Sequence, residues 1–105
     1  MTREQHLLAC IAEECSEVQK EIMKIFRFGM VKPGDTKHTT LKGREVPPNY
    51  ESLRNEIIDL LGVINMFGEE HTDLFTEEAA ERIMLKEQKV LAYMDYAREL
   101  GQLED

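Results

Sequence analysis

Seven positions of the first amphipathic stretch recur in the second, each 42 residues further on. Ile11, Glu14, Cys15, Glu17, Val18, Ile22 and Ile25 correspond to Leu53, Glu56, Ile57, Asp59, Leu60, Ile64 and Phe67. Apolar residues at alternating spacings of three and four mark one face of a helix, so both stretches are predicted to be helices of the same phase. At ~100° per residue, the acids of each stretch fall about 40° and 100° to one side of its apolar centre, Val18 or Leu60. Packed antiparallel, two such helices are related by a local twofold, and both acidic pairs point into one cleft. Few other chain plans accommodate this pattern.

The helices have clear limits in the sequence. Thr2-Arg3-Glu4-Gln5 has the form of a capping box, and nothing from Arg3 to Phe28 breaks the period before Gly29. Asn49 is expected to cap a second helix that runs to Gly68 or Glu70. Thr76, followed by Glu77 and Glu78, opens a third, which continues through Ile83, Met84, Val90, Leu91 and Met94 until Gly101 stops it. Between the first two helices, residues 30–49 lose all periodicity and contain Pro33, Pro47 and Pro48. This segment reads as a basic loop or lid, with a short hairpin within Thr36–Val46 as an option. It carries Lys32, Lys37, Lys42 and Arg44 against Asp35 and Glu45, while the whole chain of 105 residues has a net charge of −8. The expectation is one all-α domain over residues 1–105. Three helices have too few faces for both a core and a pocket, so the helical bundle is expected to be completed by dimerisation, as a homodimer or a tetramer, with a second copy burying Met84, Leu91, Met94, Tyr93 and Tyr96 of the third helix.

Charge and composition exclude several classes. An excess of 21 acidic over 13 basic residues is unsuited to general nucleic-acid binding, which relies on cations against phosphate. No stretch has the length and apolarity of a membrane span, and MTREQH is not a secretion signal, so a cytoplasmic location is expected. Cys10 and Cys15 lie on one helix and read as reduced packing residues.

The acids are the candidate site. Glu14, Glu17 and Glu21 share one arc beside the apolar face of the first helix, and Glu56 and Asp59 take the equivalent arc of the second. So many carboxylates in a partly dry cleft repel one another unless a cation compensates them. An all-oxygen donor set favours Mg²⁺ or Mn²⁺ over zinc. A di-iron bundle would use Glu-x-x-His pairs, and the residues three before His6, His38 and His71 are Arg3, Asp35 and Gly68. The plainer reading of the same acids is a solvated helix edge, and identical phase on two helices argues against it.

Glu13-Glu14-Cys15-Ser16-Glu17 followed by Glu56-Ile57-Ile58-Asp59 resembles the E-E-x-x-E … E-x-x-D signature of the all-α, MazG-like nucleotide pyrophosphohydrolases. The resemblance spans roughly residues 5–68, and Lys24-Ile25-Phe26-Arg27-Phe28-Gly29 is similar to small phage-encoded members. The 38 residues between Glu17 and Glu56 exceed the gap usual in that family, and the excess lies in the basic loop. The resemblance implies two or three Mg²⁺ or Mn²⁺ ions held by Glu14, Glu17, Glu56 and Asp59, with Glu21 as a further ligand or a supporting acid. It implies hydrolysis of a nucleoside triphosphate, with water attacking the α-phosphorus to release the monophosphate and pyrophosphate. Glu14 or Glu17 would orient or deprotonate that water. A deoxynucleotide, and control of its pool in the cytoplasm (the host's, for a phage protein), fit the small phage-type members. Lys24, Arg27, Lys32, Lys37 and Arg44 are candidates for holding substrate phosphates, against the plainer reading of solvated cations. Two other functions remain open from sequence: a phosphoribosyl-ATP pyrophosphohydrolase, and a non-enzymatic acidic helical module.

Overall fold

A computed structural model describes residues 1–35, 40–41, 43–45 and 48–104, with the backbone alone at 40, 41, 44 and 45. The element order is α1 (Arg3–Phe28), β1 (Thr40–Leu41), β2 (Arg44–Glu45), α2 (Asn49–Glu70), a 3₁₀ turn (Thr72–Phe75) and α3 (Glu77–Glu99). The all-α expectation is borne out. The strands among the described residues are β1 and β2, paired antiparallel with Thr40 opposite Glu45 and Leu41 opposite Arg44. They sit inside the segment where a hairpin was an option. The chain divides into two compact units, Met1–Glu70 and His71–Asp105. No helix among the described residues is long and apolar enough to cross a membrane.

In the first unit, α1 begins at the capping box read from sequence. The Gln5 amide donates to the Thr2 hydroxyl at 3.1 Å, and the Thr2 amide donates to Gln5 Oε1 at 2.9 Å. The helix ends where Gly29 takes φ +79°, a left-handed value that a side chain would resist, and donates to the Ile25 carbonyl. The two helices are antiparallel. Arg3 Nε, at the start of α1, lies 2.7 Å from Glu70 Oε1 at the end of α2. At the other end, residues just past α1 bond to residues at the start of α2, through Asn49.

Asn49 departs from its expected role. Its side chain does not cap α2; it turns back, accepting from the Val31 amide and donating to the Gly29 carbonyl, both at 2.7 Å. The Tyr50 amide adds a bond to the Val31 carbonyl at 3.1 Å. The entry and exit of the loop are thus clasped together, and Val31 is buried at the clasp. Local sequence ranks Asn as a helix cap; the unpaired backbone groups across the loop compete for the same amide and win.

The core is narrow. Leu7 and Val31 are the buried apolar side chains among the described residues, and Glu21 is the buried charged one. Ile11, Val18, Ile25, Leu53, Leu60, Ile64 and Phe67 of the predicted faces are half-buried. Leu8, Cys15, Ile22 and Ile57 of the same faces are exposed. One helix–helix contact covers only part of a ~100°-wide apolar arc, which leaves Leu8, Cys15 and Ile22 of the α1 face and Ile57 of the α2 face exposed.

In the second unit, Thr76 caps α3 by accepting from the Ala79 amide at 3.2 Å, as the sequence indicates. The helix ends in a Schellman turn at Gly101, φ +73°, with Gly101 donating to Arg98 and Gln102 to Ala97. The preceding 3₁₀ turn carries no periodic signal and was not anticipated.

Candidate metal centre

Positions 14, 56 and 59 meet because α1 and α2 are antiparallel and present equivalent arcs to one cleft. Glu14, Glu56 and Asp59 can each offer an oxygen such that all three atoms lie within 4.8 Å of one another. Glu14 and Glu56 are half-buried and Asp59 is exposed, so the cluster is a cleft open on one side. This is three of the five acids singled out from sequence, drawn from both helices.

The electrostatics show how poorly the cluster is compensated. Desolvation pushes the Glu56 carboxyl above its ordinary value, and the negative charges of Asp59, Glu14, Glu17 and Glu21 push it further. Glu14 Oε2 is buried and finds no hydrogen-bond partner among the described residues. A buried carboxylate oxygen without a donor is an expensive arrangement, and a bound cation is the usual remedy.

Glu17 and Glu21 belong to the same field without joining the three-oxygen group. Glu17 is half-buried and close enough to act on Glu56. Glu21 is buried, 8% exposed, and accepts from Lys24 Nζ at 3.1 Å. Lys24 therefore stands at the edge of the cluster, tied to an acid one turn back. The ion pair with Glu21 puts Lys24 beside the acids and leaves the phosphate-holding and solvated-cation readings both open.

The other candidate cations are placed less directly. Arg27 lies over the Phe28 ring at 6.0 Å, and Lys32 lies over the Tyr50 ring at 5.8 Å. The Lys32 amide donates to Asp35 at 3.0 Å, which fixes the first turn of the loop. Lys37 lies outside the described residues, as does the side chain of Arg44, whose backbone pairs in β2. Cys10 and Cys15 are free thiols, half-buried and exposed respectively.

Comparison with protein-family models, with curated proteins and with solved structures gave no match. The site therefore has to be argued from its own chemistry. A hollow of ≈ 630 Å³ also opens in the second unit between the 3₁₀ turn and α3, bordered by Asp73, Leu74, Arg82 and Ile83. Acids and bases alternate around it and no like set converges, so the acid cleft in the first unit is the better candidate despite its openness.

The donor set fits a hard divalent cation. It consists of carboxylate oxygens from two helices, with no imidazole or thiolate in the group. The orphaned Glu14 oxygen and the mutual repulsion on Glu56 are both relieved by positive charge at the same place. Sequence reasoning missed the Asn49 clasp and the Arg3–Glu70 bridge. Neither carries a local signal, since each joins residues far apart in the chain.

Proposed function

We propose that the chain is a Mg²⁺- or Mn²⁺-dependent nucleoside triphosphate pyrophosphohydrolase that acts as a homo-oligomer. The observation that carries this reading is the trio Glu14, Glu56 and Asp59, three carboxylate oxygens within 4.8 Å on two helices, with one Glu14 oxygen buried and unpartnered. The resemblance to MazG-like enzymes supplies the reaction class, and a deoxynucleoside triphosphate is the substrate class it favours. Glu14, Glu56 and Asp59 would hold the metal, with Glu17 and Glu21 completing its surroundings. When bound, divalent cations neutralise triphosphate charge and make water more acidic.

The chain's own residues divide the remaining work. Glu17, near the trio but outside it, is placed to accept a proton from the attacking water; Glu14 serves instead if its second oxygen stays free. Water adds to the α-phosphorus, the α–β bridge breaks, and pyrophosphate leaves with the bridging oxygen. Lys24 releases Glu21 to meet a phosphate oxygen, using the flexible reach of its ammonium. The acid cleft alone would repel a polyanion, so cations are needed on the side where phosphates enter.

The test is product analysis. The purified chain is incubated with each of the eight common nucleoside triphosphates and Mg²⁺ or Mn²⁺, and pyrophosphate is resolved from orthophosphate. Pyrophosphate and a monophosphate are expected, with Glu56→Gln lowering the rate ~100-fold or more. Full activity in Glu56→Gln would reject the site. Absence of turnover together with absence of any metal-induced stabilisation would leave the acidic-module reading in its place.

A further inference from the structure

The third helix sorts its charge into sectors. Counting ~100° per residue from Leu85, Arg82, Lys86, Lys89, Tyr93 and Tyr96 fall in the arc from about 0° to 100°. Between Arg82 and Leu100 no acid shares that arc. Asp95 and Glu99 lie to one side of it, at about −80° and −40°. Ile83, Val90 and Met94 lie to the other. The chain has a net charge of −8, and this stripe runs against it.

The cations of the stripe are unpaired. The ion pairs among the described residues are Arg3–Glu70, Glu21–Lys24 and Asp95–Arg98. Arg82, Lys86 and Lys89 take part in none of them, although Glu78 stands one turn before Arg82. Arg82 and Lys86 are four apart, and Lys86 and Lys89 three apart, spacings at which like charges destabilise a helix. An open hollow of ≈ 380 Å³ runs beside them, bordered by Arg82, Leu85, Lys86 and Lys89. Lys89 Nζ lies over the Tyr93 ring at 5.8 Å. Tyr93 and Tyr96 are 61% and 58% exposed.

We propose that this stripe of α3 binds single-stranded nucleic acid, with phosphates along Arg82, Lys86 and Lys89 and bases stacked on Tyr93 and Tyr96. Like charges without partners require an anion, and exposed rings beside them suit one that carries flat apolar faces. From Arg82 to Tyr96 the stripe is ~21 Å long, enough for ~4 nucleotides. It lies wholly in the second unit and does not rest on the pyrophosphohydrolase reading. Met84, Leu91 and Met94 fall at least ~100° from the tyrosines, so apolar cover on their side leaves the stripe open. The acidic excess of the whole chain keeps the affinity modest and confines it to low salt.

Three other partners fit less well. A duplex places phosphates on both sides of a helix in its groove, and Asp95 and Glu99 would face one row of them. An anionic membrane would take the apolar side of α3, where Glu87 falls between Ile83 and Leu91. An acidic peptide satisfies the cations and leaves the tyrosines without a role.

The test uses the full chain in EDTA, where the acid cleft repels a polyanion. Anisotropy of a labelled oligothymidine of ~20 nucleotides is followed from ~20 to ~200 mM salt, with circular dichroism as a check on folding. Binding is expected, with log affinity falling against log salt at a slope of about −2, from three phosphates at about 0.7 each. Lys86→Gln should lower that slope by about 0.7, and Tyr93→Leu should weaken binding ~10-fold with the slope kept. Arg54→Gln, which removes a cation of the first unit, should change neither. The chain has three Tyr and no Trp, so quenching of its tyrosine emission by unlabelled oligothymidine reports stacking without any variant. No binding at the lowest salt, binding without quenching, or an unchanged affinity in folded Tyr93→Leu overturns the proposal. Equal affinity for polyglutamate or for a duplex overturns it too, as does capture by anionic vesicles in place of the oligonucleotide.

Discussion

The acid cleft should give the protein opposite responses to pH and to divalent metal. Glu14, Glu17, Glu21, Glu56 and Asp59 bring five negative charges, and Lys24 offsets one by pairing with Glu21. Four remain, which two divalent cations balance; titration with Mn²⁺ in the absence of nucleotide should therefore saturate near two ions per chain. Without metal, the sign of the pH effect follows from Glu56. Its carboxyl titrates above its ordinary value, so between the two values the folded state holds more proton than the unfolded chain. Stability is then fullest below the ordinary carboxylate range and falls as pH rises through the raised value. Metal reverses this. At a free concentration one hundred times the dissociation constant, binding adds about 2.7 kcal/mol, or about 10–20 °C of melting temperature for a unit of 60–100 residues. Thermal melts at mildly acidic and neutral pH, with and without Mn²⁺, test both signs. In Glu56→Gln the fall with pH should flatten and the metal shift should shrink. A native protein whose melting point ignores both pH in that window and millimolar Mn²⁺ would refute the reasoning, as would a full metal shift in Glu56→Gln.

Three further outcomes are expected. Asn49→Ala removes two 2.7 Å hydrogen bonds and leaves the Val31 amide without its acceptor, which costs about 1–3 kcal/mol and should lower the urea midpoint; an unchanged midpoint would mean the clasp is not formed. Thr76→Ala deletes the cap of α3 and should cost about 1 kcal/mol, visible as lost helical ellipticity. Arg3→Ala breaks an ion pair whose two side chains are half exposed, and the loss should stay within about 1 kcal/mol in the same melts.

What was legible in the sequence is what repeats with a short period. The limits of α1 follow from Thr2, Gln5 and Gly29, each acting within one turn of itself, and they are found where expected. The meeting of Glu14 with Glu56 and Asp59 was also legible, because equal phase on two antiparallel helices leaves the acids one cleft to share. Cooperation across the loop was not legible. Asn49 looks like a cap from its neighbours alone, and only the folded chain supplies the Gly29 carbonyl and Val31 amide that claim it. The extent of burial was likewise not legible, since periodicity reveals which side chains are apolar and not how many a single partner helix can cover.

These features bear on one another. A first unit whose buried apolar side chains, among the described residues, are Leu7 and Val31 has little stability to set against like charges in its cleft. Moving the acids apart would relieve the repulsion, but near the loop it would strain the Asn49 clasp. On the proposed reading, cations held in the cleft would relieve that repulsion. Metal should then tighten folding, and Glu56→Gln should lose that gain.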